Sequence, residues 1–146
     1  MKRAPAFLTC LLSISIAGCA THSSSRTKEV RRADENAARI KALTWVALLD
    51  AEDYGQAYSE QAARLRLSGS KTQFIRSMEG RRAPFGRMLK RTFVGAAFTQ
   101  KLVGAPDGNY ETILFKTFFE HKTVAAERVI LTRESGRWKV IDYRVY

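Results

Sequence analysis

Cysteine, histidine and acidic side chains are scarce in this chain of 146 residues. Two cysteines, Cys10 and Cys19, are too few to staple a disulfide-dense secreted domain. The two histidines, His22 and His121, fall in polar segments. No spacing of His, Cys, Asp or Glu matches a metal site, so neither metal nor cofactor is expected. The sequence also lacks a Gly-x-Ser-x-Gly elbow, a phosphate-binding Walker loop, a Gly-x-Gly-x-x-Gly turn and a His-Glu-x-x-His helix, which removes the reaction classes those motifs serve. Only 14 acidic residues oppose 25 basic ones, a formal charge of +11. With 45% hydrophobic residues, the composition excludes a disordered chain. The length excludes a second sizeable domain.

The first twenty residues carry an address. Met1-Lys2-Arg3 precedes an uncharged run from Ala4 to Gly18, the basic and apolar regions of a secretory signal. That run falls short of the roughly 20 apolar residues that span a bilayer. It ends Ile16-Ala17-Gly18-Cys19, which resembles the lipobox of bacterial lipoproteins. The resemblance implies cleavage after residue 18 and acylation of Cys19, and several acyl chains give firm anchoring where one does not. Ala20 follows the cysteine in place of aspartate. By the sorting rule that the lipoprotein resemblance brings, this implies the outer membrane of a bacterial envelope as the expected location, with the protein facing the periplasm. Cys10 leaves with the signal. The remaining chain keeps 23 basic and 14 acidic residues, a net charge of +9. Nucleic acid is excluded as a partner, because the signal removes the protein from the cytoplasm.

Residues 20–28 are small and polar and read as a flexible tether; 29–146 form the domain. From 29 to 49, Val30, Ala33, Ala37, Ile40, Leu43 and Ala47 recur every three or four residues, which predicts a helix buried along that stripe. Asp53 is placed to cap a second helix over 54–66, with Tyr54, Tyr58 and Leu65 on one face; Trp45, Tyr54 and Tyr58 read as core rather than as a ligand cage. Ser70-Lys71-Thr72-Gln73 fits a capping box and starts a third helix that turns Phe74, Ile75 and Met78 inward. It closes before Pro84. Strands are predicted over 88–102, with Gly95 a bulge or bend, then 110–119, 123–133 and 137–145, with Ser135-Gly136 a tight hairpin. The fold class is α+β: N-terminal helices packed on a four-stranded antiparallel curved sheet.

Trp45, Asp50 and Asp53–Tyr58, then Pro84-Phe85-Gly86, Arg91 and residues 104–110 follow in a recognisable order. Phe115, Thr117, Phe119, Lys122, Ala126-Glu127, Val129, Leu131, residues 136–140 and Tyr143 continue it. Across residues 40–146 the chain resembles a bacterial domain-of-unknown-function family of small secreted proteins. The resemblance implies a cone-shaped α+β fold like that of nuclear transport factor two and the cystatins. It implies no activity.

The hairpins set a register. A loop at Glu120-His121-Lys122 places Phe119 opposite Thr123, Phe115 opposite Glu127 and Ile113 opposite Val129. The Ser135-Gly136 turn places Leu131 opposite Val140, Val129 opposite Asp142 and Glu127 opposite Arg144. The helix-covered face then holds Ile113, Phe115, Phe119, Val129, Leu131, Trp138 and Val140. Glu127, Asp142 and Arg144 join it at one end as a candidate pocket. Polar groups converging on an apolar concavity are the default binding-site reading, and a carboxyl there could act as general acid or base. The plainer reading is a structural Glu127–Arg144 cross-strand pair.

The other face would carry Leu114, Phe118, Val124, Ile130, Ile141, Tyr143 and Val145, too apolar to be solvated, so either the N-terminal helix covers it or a second subunit does, as a homodimer through the sheet. Residues 64–101 hold ten basic residues against one acid, Glu79, which suits a solvated face or contact with an anionic envelope surface. The expected function is a non-enzymatic binding or interaction module of an envelope lipoprotein. An enzyme using Glu127 is the alternative.

Overall fold

The computed structural model describes residues 20–146, with side chains from Ser24 onward. The signal segment, and Cys19 with its expected acylation, lie outside the described residues. The chain forms helices α1 (Ala20–Asp50), α2 (Tyr54–Ser59), α3 (Ala63–Leu67) and α4 (Lys71–Arg82), then a 3₁₀ turn at Ala83–Phe85. Strands β1 (Met88–Thr99), β2 (Tyr110–Phe119), β3 (Lys122–Glu134) and β4 (Arg137–Val145) follow. They pair antiparallel in chain order. The α+β class and the four-stranded sheet match expectation.

Helix α1 differs from expectation at both levels read from sequence. It runs from Ala20, through the segment read as a tether. No glycine or proline lies between 20 and 50, and serine and threonine cost a helix only a few tenths of a kcal/mol each. Its buried stripe is Ala38, Ala42, Trp45, Val46 and Leu49. Val30, Ala33, Ala37, Ile40, Leu43 and Ala47 are all exposed. Both sets have helical spacing, and the set that contains Trp45 and Leu49 takes the core because it buries more apolar surface.

Two short helices replace the predicted second one. Asp53 caps α2, accepting from the Gln56 N–H at 3.0 Å. The chain then extends at Gln61-Ala62, where the Ala62 N–H donates to the Val140 carbonyl at 2.9 Å. That bond fastens the helical layer to the edge of β4. The Ser70 capping box of α4 is present in full, with bonds of 2.9 and 3.2 Å. Trp45 lies at the centre of the core and donates its indole N–H to the Ala57 carbonyl at 2.8 Å. Its ring packs tilted against Tyr143 and Phe74, at 5.5 and 6.5 Å between centroids.

The register of β2 on β3 matches expectation at Phe115–Glu127 and Ile113–Val129, although Phe119 pairs with Lys122. The connecting turn is one residue shorter than predicted, only Glu120-His121. β1 bulges between Phe93 and Gly95 as expected. On β4 the expectation is corrected. Leu131 pairs with Val140, but Ile130 pairs with Asp142, Val129 with Tyr143 and Glu127 with Val145. Ile141 is the extra residue of a bulge, and one inserted residue exchanges the faces of everything beyond it.

Candidate functional site

The bulge at Ile141 decides which polar groups meet. It carries Asp142 and Arg144 to the outer face of the sheet, away from Glu127. There Asp142 accepts from Arg128 Nη2 at 2.9 Å, with Arg144 Nε at 3.6 Å from the same oxygen. The predicted grouping of Glu127, Asp142 and Arg144 therefore does not form, and Glu127 and Arg144 are not a pair. Tyr143, assigned from sequence to the outer face, turns into the core in their place.

Glu127 is fully buried and sits in a closed ring of charges. Arg82 Nη1 donates to Glu127 Oε1 at 2.8 Å, and Arg91 Nε donates to Oε2 at 2.6 Å. The same two arginines reach Asp50 at the end of α1. Arg91 Nη1 and Nη2 donate to its two oxygens at 2.5 and 3.0 Å, and Arg82 Nη2 donates to Oδ1. Two hydroxyls complete the shell: Tyr143 donates to Oε1 at 2.6 Å and Thr117 to Oε2. Arg82 Nη1 also donates to the Tyr143 hydroxyl at 2.8 Å, and its guanidinium stacks over Phe119, 4.8 Å from the ring centre.

Two carboxylates and two guanidinium groups leave the ring without net formal charge. Such balance is what buried ions require, since an unpaired charge there costs several kcal/mol. The ring's electrostatics follow from the same packing. Burial alone would lower the affinity of Arg82 and Arg91 for their protons. For Arg82, Tyr143, Glu127 and Asp50 outweigh it; for Arg91, Asp50 and Glu127 do, and both stay firmly charged. Burial, and then the charge of Glu127, pushes the Tyr143 hydroxyl far above the ordinary tyrosine range. Glu127 accepts two bonds on each oxygen, which fills the acceptor capacity of a carboxylate. No oxygen remains to take a proton from a bound molecule.

Sequence reasoning found Glu127 alone of these six residues as a site residue. A signal for the others existed: Arg91 pairs with Thr117 across β1 and β2, so two polar side chains occupy adjacent inward positions of neighbouring strands. Asp50, Arg91, Thr117 and Tyr143 also stand among the residues that carry the family resemblance. Among the described residues no group of three or more His, Cys, Asp and Glu could hold a metal ion.

The open space lies elsewhere. A groove of about 410 Å³ runs between α2, α3, α4 and the edge of β4. Leu65, Phe74, Met78 and Ile141 make its apolar part, and Tyr58, Gln61, Ser70, Gln73 and Arg81 its polar part. Gln61 is only 2% exposed, and its Oε1 has no hydrogen-bond partner. A second depression of about 460 Å³ shares Leu65, Ser68, Ile141 and Asp142 with the first. It continues across the outer sheet face beneath α3 and residues 102–105, with Arg64, Arg128 and Arg144 around it. This cover explains why Ile130, an outer-face residue, is 7% exposed. A third cleft, about 320 Å³, opens beside the ring and is lined by Asp50, Arg82, Glu52, Glu79 and Glu120.

No helix among the described residues is long and apolar enough to cross a membrane. No curated protein matches the chain. A family profile described as a protein of unknown function (DUF4019) matches residues 41–143, the stretch that runs from the packed half of α1 to Tyr143 and supplies every member of the buried ring, and the chain belongs to that family.

Proposed function

We propose that this protein is a lipid-anchored module of the bacterial envelope that binds a small, largely apolar ligand without transforming it. Acylation at Cys19 holds it to the membrane, with the outer membrane the destination that Ala20 favours. The domain is read as a relative of the cone-shaped fold of nuclear transport factor two, a reading supported by helices that cover one face of a bulged antiparallel sheet. The observation that carries the binding function is Gln61. A buried amide oxygen without a donor costs about 1–3 kcal/mol, and this one borders a groove of the size that small ligands fill. The matching ligand offers a hydrogen-bond donor to Gln61, an apolar body to Leu65, Phe74 and Ile141, and a negative group to Arg81. The saturated Glu127 speaks against the enzymatic alternative, since a general base needs a free lone pair within reach of its substrate.

The test is extraction of the full chain purified from its own membranes, followed by mass spectrometry of the organic phase. One small amphiphile per chain is expected, and it should be depleted in Gln61→Leu and Ile141→Arg variants. A wild-type protein that releases nothing in stoichiometric amount would overturn the reading. Labelled palmitate should enter the wild type and not Cys19→Ala; equal labelling of both would remove the anchor.

A further inference from the structure

Among the described residues, the stripe of α1 that faces away from the core has no partner. Val30, Ala33, Ala37, Ile40, Thr44 and Ala47 follow one another at spacings of three, four, three, four and three residues. This is the a/d repeat of a helix–helix seam. All six are exposed, Val30 at 58% and Ile40 at 54%. Thr44 belongs to the stripe because its hydroxyl donates to the Ile40 carbonyl at 2.9 Å, which satisfies the polar group and leaves the methyl to pack. Core contacts use other positions of the same helix, 38, 42, 45, 46 and 49. Helix α1 is therefore apolar on two sides, and among the described residues only one of them is covered.

We propose that this stripe is an interface with a second copy of the chain, the two α1 helices lying antiparallel. The sizes along it are self-complementary in that arrangement alone. When Ala37 of one copy meets Ile40 of the other, Val30 meets Ala47 and Ala33 meets Thr44. Each large side chain then faces a small one, and the two-fold axis repeats every layer. A parallel pairing would set Ile40 on Ile40 and Ala37 on Ala37, alternating crowding with voids. At the seam's edge Asp34 and Lys41 are held within their own chain, by Arg133 at 2.7 Å and Glu60 at 2.5 Å, so neither is left unpaired beside the second copy. Leu43, 40% exposed, widens the seam on its other edge. An interface of one helix stripe per copy belongs to the weak, reversible class of contacts below about 1,200 Å² in total, with an expected Kd in the micromolar range.

Sedimentation of the full chain in nonionic detergent micelles tests the proposal. The wild type should dimerise reversibly. Ile40→Ala, which opens a void, and Ala37→Ile, which sets isoleucine on isoleucine, should each weaken the dimer about tenfold. The double variant Ala37→Ile/Ile40→Ala exchanges large and small within each layer and should restore wild-type affinity to within about threefold. Leu114→Asp, on the outer sheet face, should leave the dimer intact. A wild type that stays monomeric at high micromolar concentration would overturn the proposal. So would a double variant no tighter than its singles, because an unrelated occupant of the stripe has no reason to be rescued. Loss of the dimer in Leu114→Asp, with Ile40→Ala unaffected, would move the interface to the sheet.

Discussion

Four donors converge on Glu127, and that number sets the consequence of changing it. Replacing the carboxylate with alanine leaves Arg82 and Arg91 facing Asp50 alone, a buried excess of one positive charge. The expected cost is about 3–5 kcal/mol, read as a fall in the urea midpoint at unchanged slope. Tyr143→Phe removes two charge-assisted bonds, the one donated to Glu127 and the one accepted from Arg82, and should cost about 3 kcal/mol. The two variants also separate by pH. The Tyr143 hydroxyl is raised in the folded state, so its contribution is complete below the unfolded tyrosine value of about 10. It is lost as pH climbs through the folded one, because the unfolded chain ionises first. Above pH ~10 the wild type should therefore lose stability faster than Tyr143→Phe, a difference that denaturant titrations at two alkaline pH values would reveal. Parallel curves would mean that another group dominates the alkaline limb. At this scale the sequence was partly legible. Glu127 stood out as an acid at an inward position of an apolar strand. Arg82 did not, because a residue near the end of a basic helix looks like any solvated arginine until the sheet is placed against it.

Elements follow from pattern where a local rule suffices. The Ser70 box, the Asp53 cap, the bulge near Gly95 and the Ser135-Gly136 hairpin are each specified by two to four neighbouring residues. Ser135 and Gly136 both have positive φ, 47° and 77°, the conformation that two-residue hairpins of the right twist demand. Ser70→Ala should cost about 1 kcal/mol, measurable in the same urea titrations, and no loss would mean that water replaces the cap. The β4 bulge has no such signature. Its extra residue is an isoleucine with no glycine beside it, and it becomes visible only once Val140 is tied to Leu131 on one side and Ala62 on the other. Its consequence can be tested by coupling energies. Glu127 and Arg144 should show none in a double-mutant cycle, while Arg128 and Asp142 should couple by about 0.5 kcal/mol, as part-exposed ion pairs do. The reverse result would restore the unbulged register. The facing of α1 was illegible for a different reason: two apolar stripes share the helix, and periodicity alone cannot rank them.

In the whole molecule the ring binds six elements at one point. Asp50 closes α1, Arg82 lies in the last turn of α4, and Arg91, Thr117, Glu127 and Tyr143 stand on β1, β2, β3 and β4. A structure tied this way should open as a unit, since releasing any one element strands a charge or a hydroxyl on the others. The outer half of α1 is outside that unit: residues 24–30 are exposed throughout, and the helix begins to bury apolar side chains only at Ala38. Amide exchange should divide accordingly. Amides of residues 24–30 should exchange early, by fraying, while those of 42–49 and of the three strand pairs should share one slow opening with the free energy of global unfolding. Glu127→Ala should then lower protection by the same amount in α1, α4 and all four strands. If the loss were confined to β3 and its two neighbours, the ring would be a local contact, and the helical layer would hold to the sheet through Trp45 and its surrounding core alone.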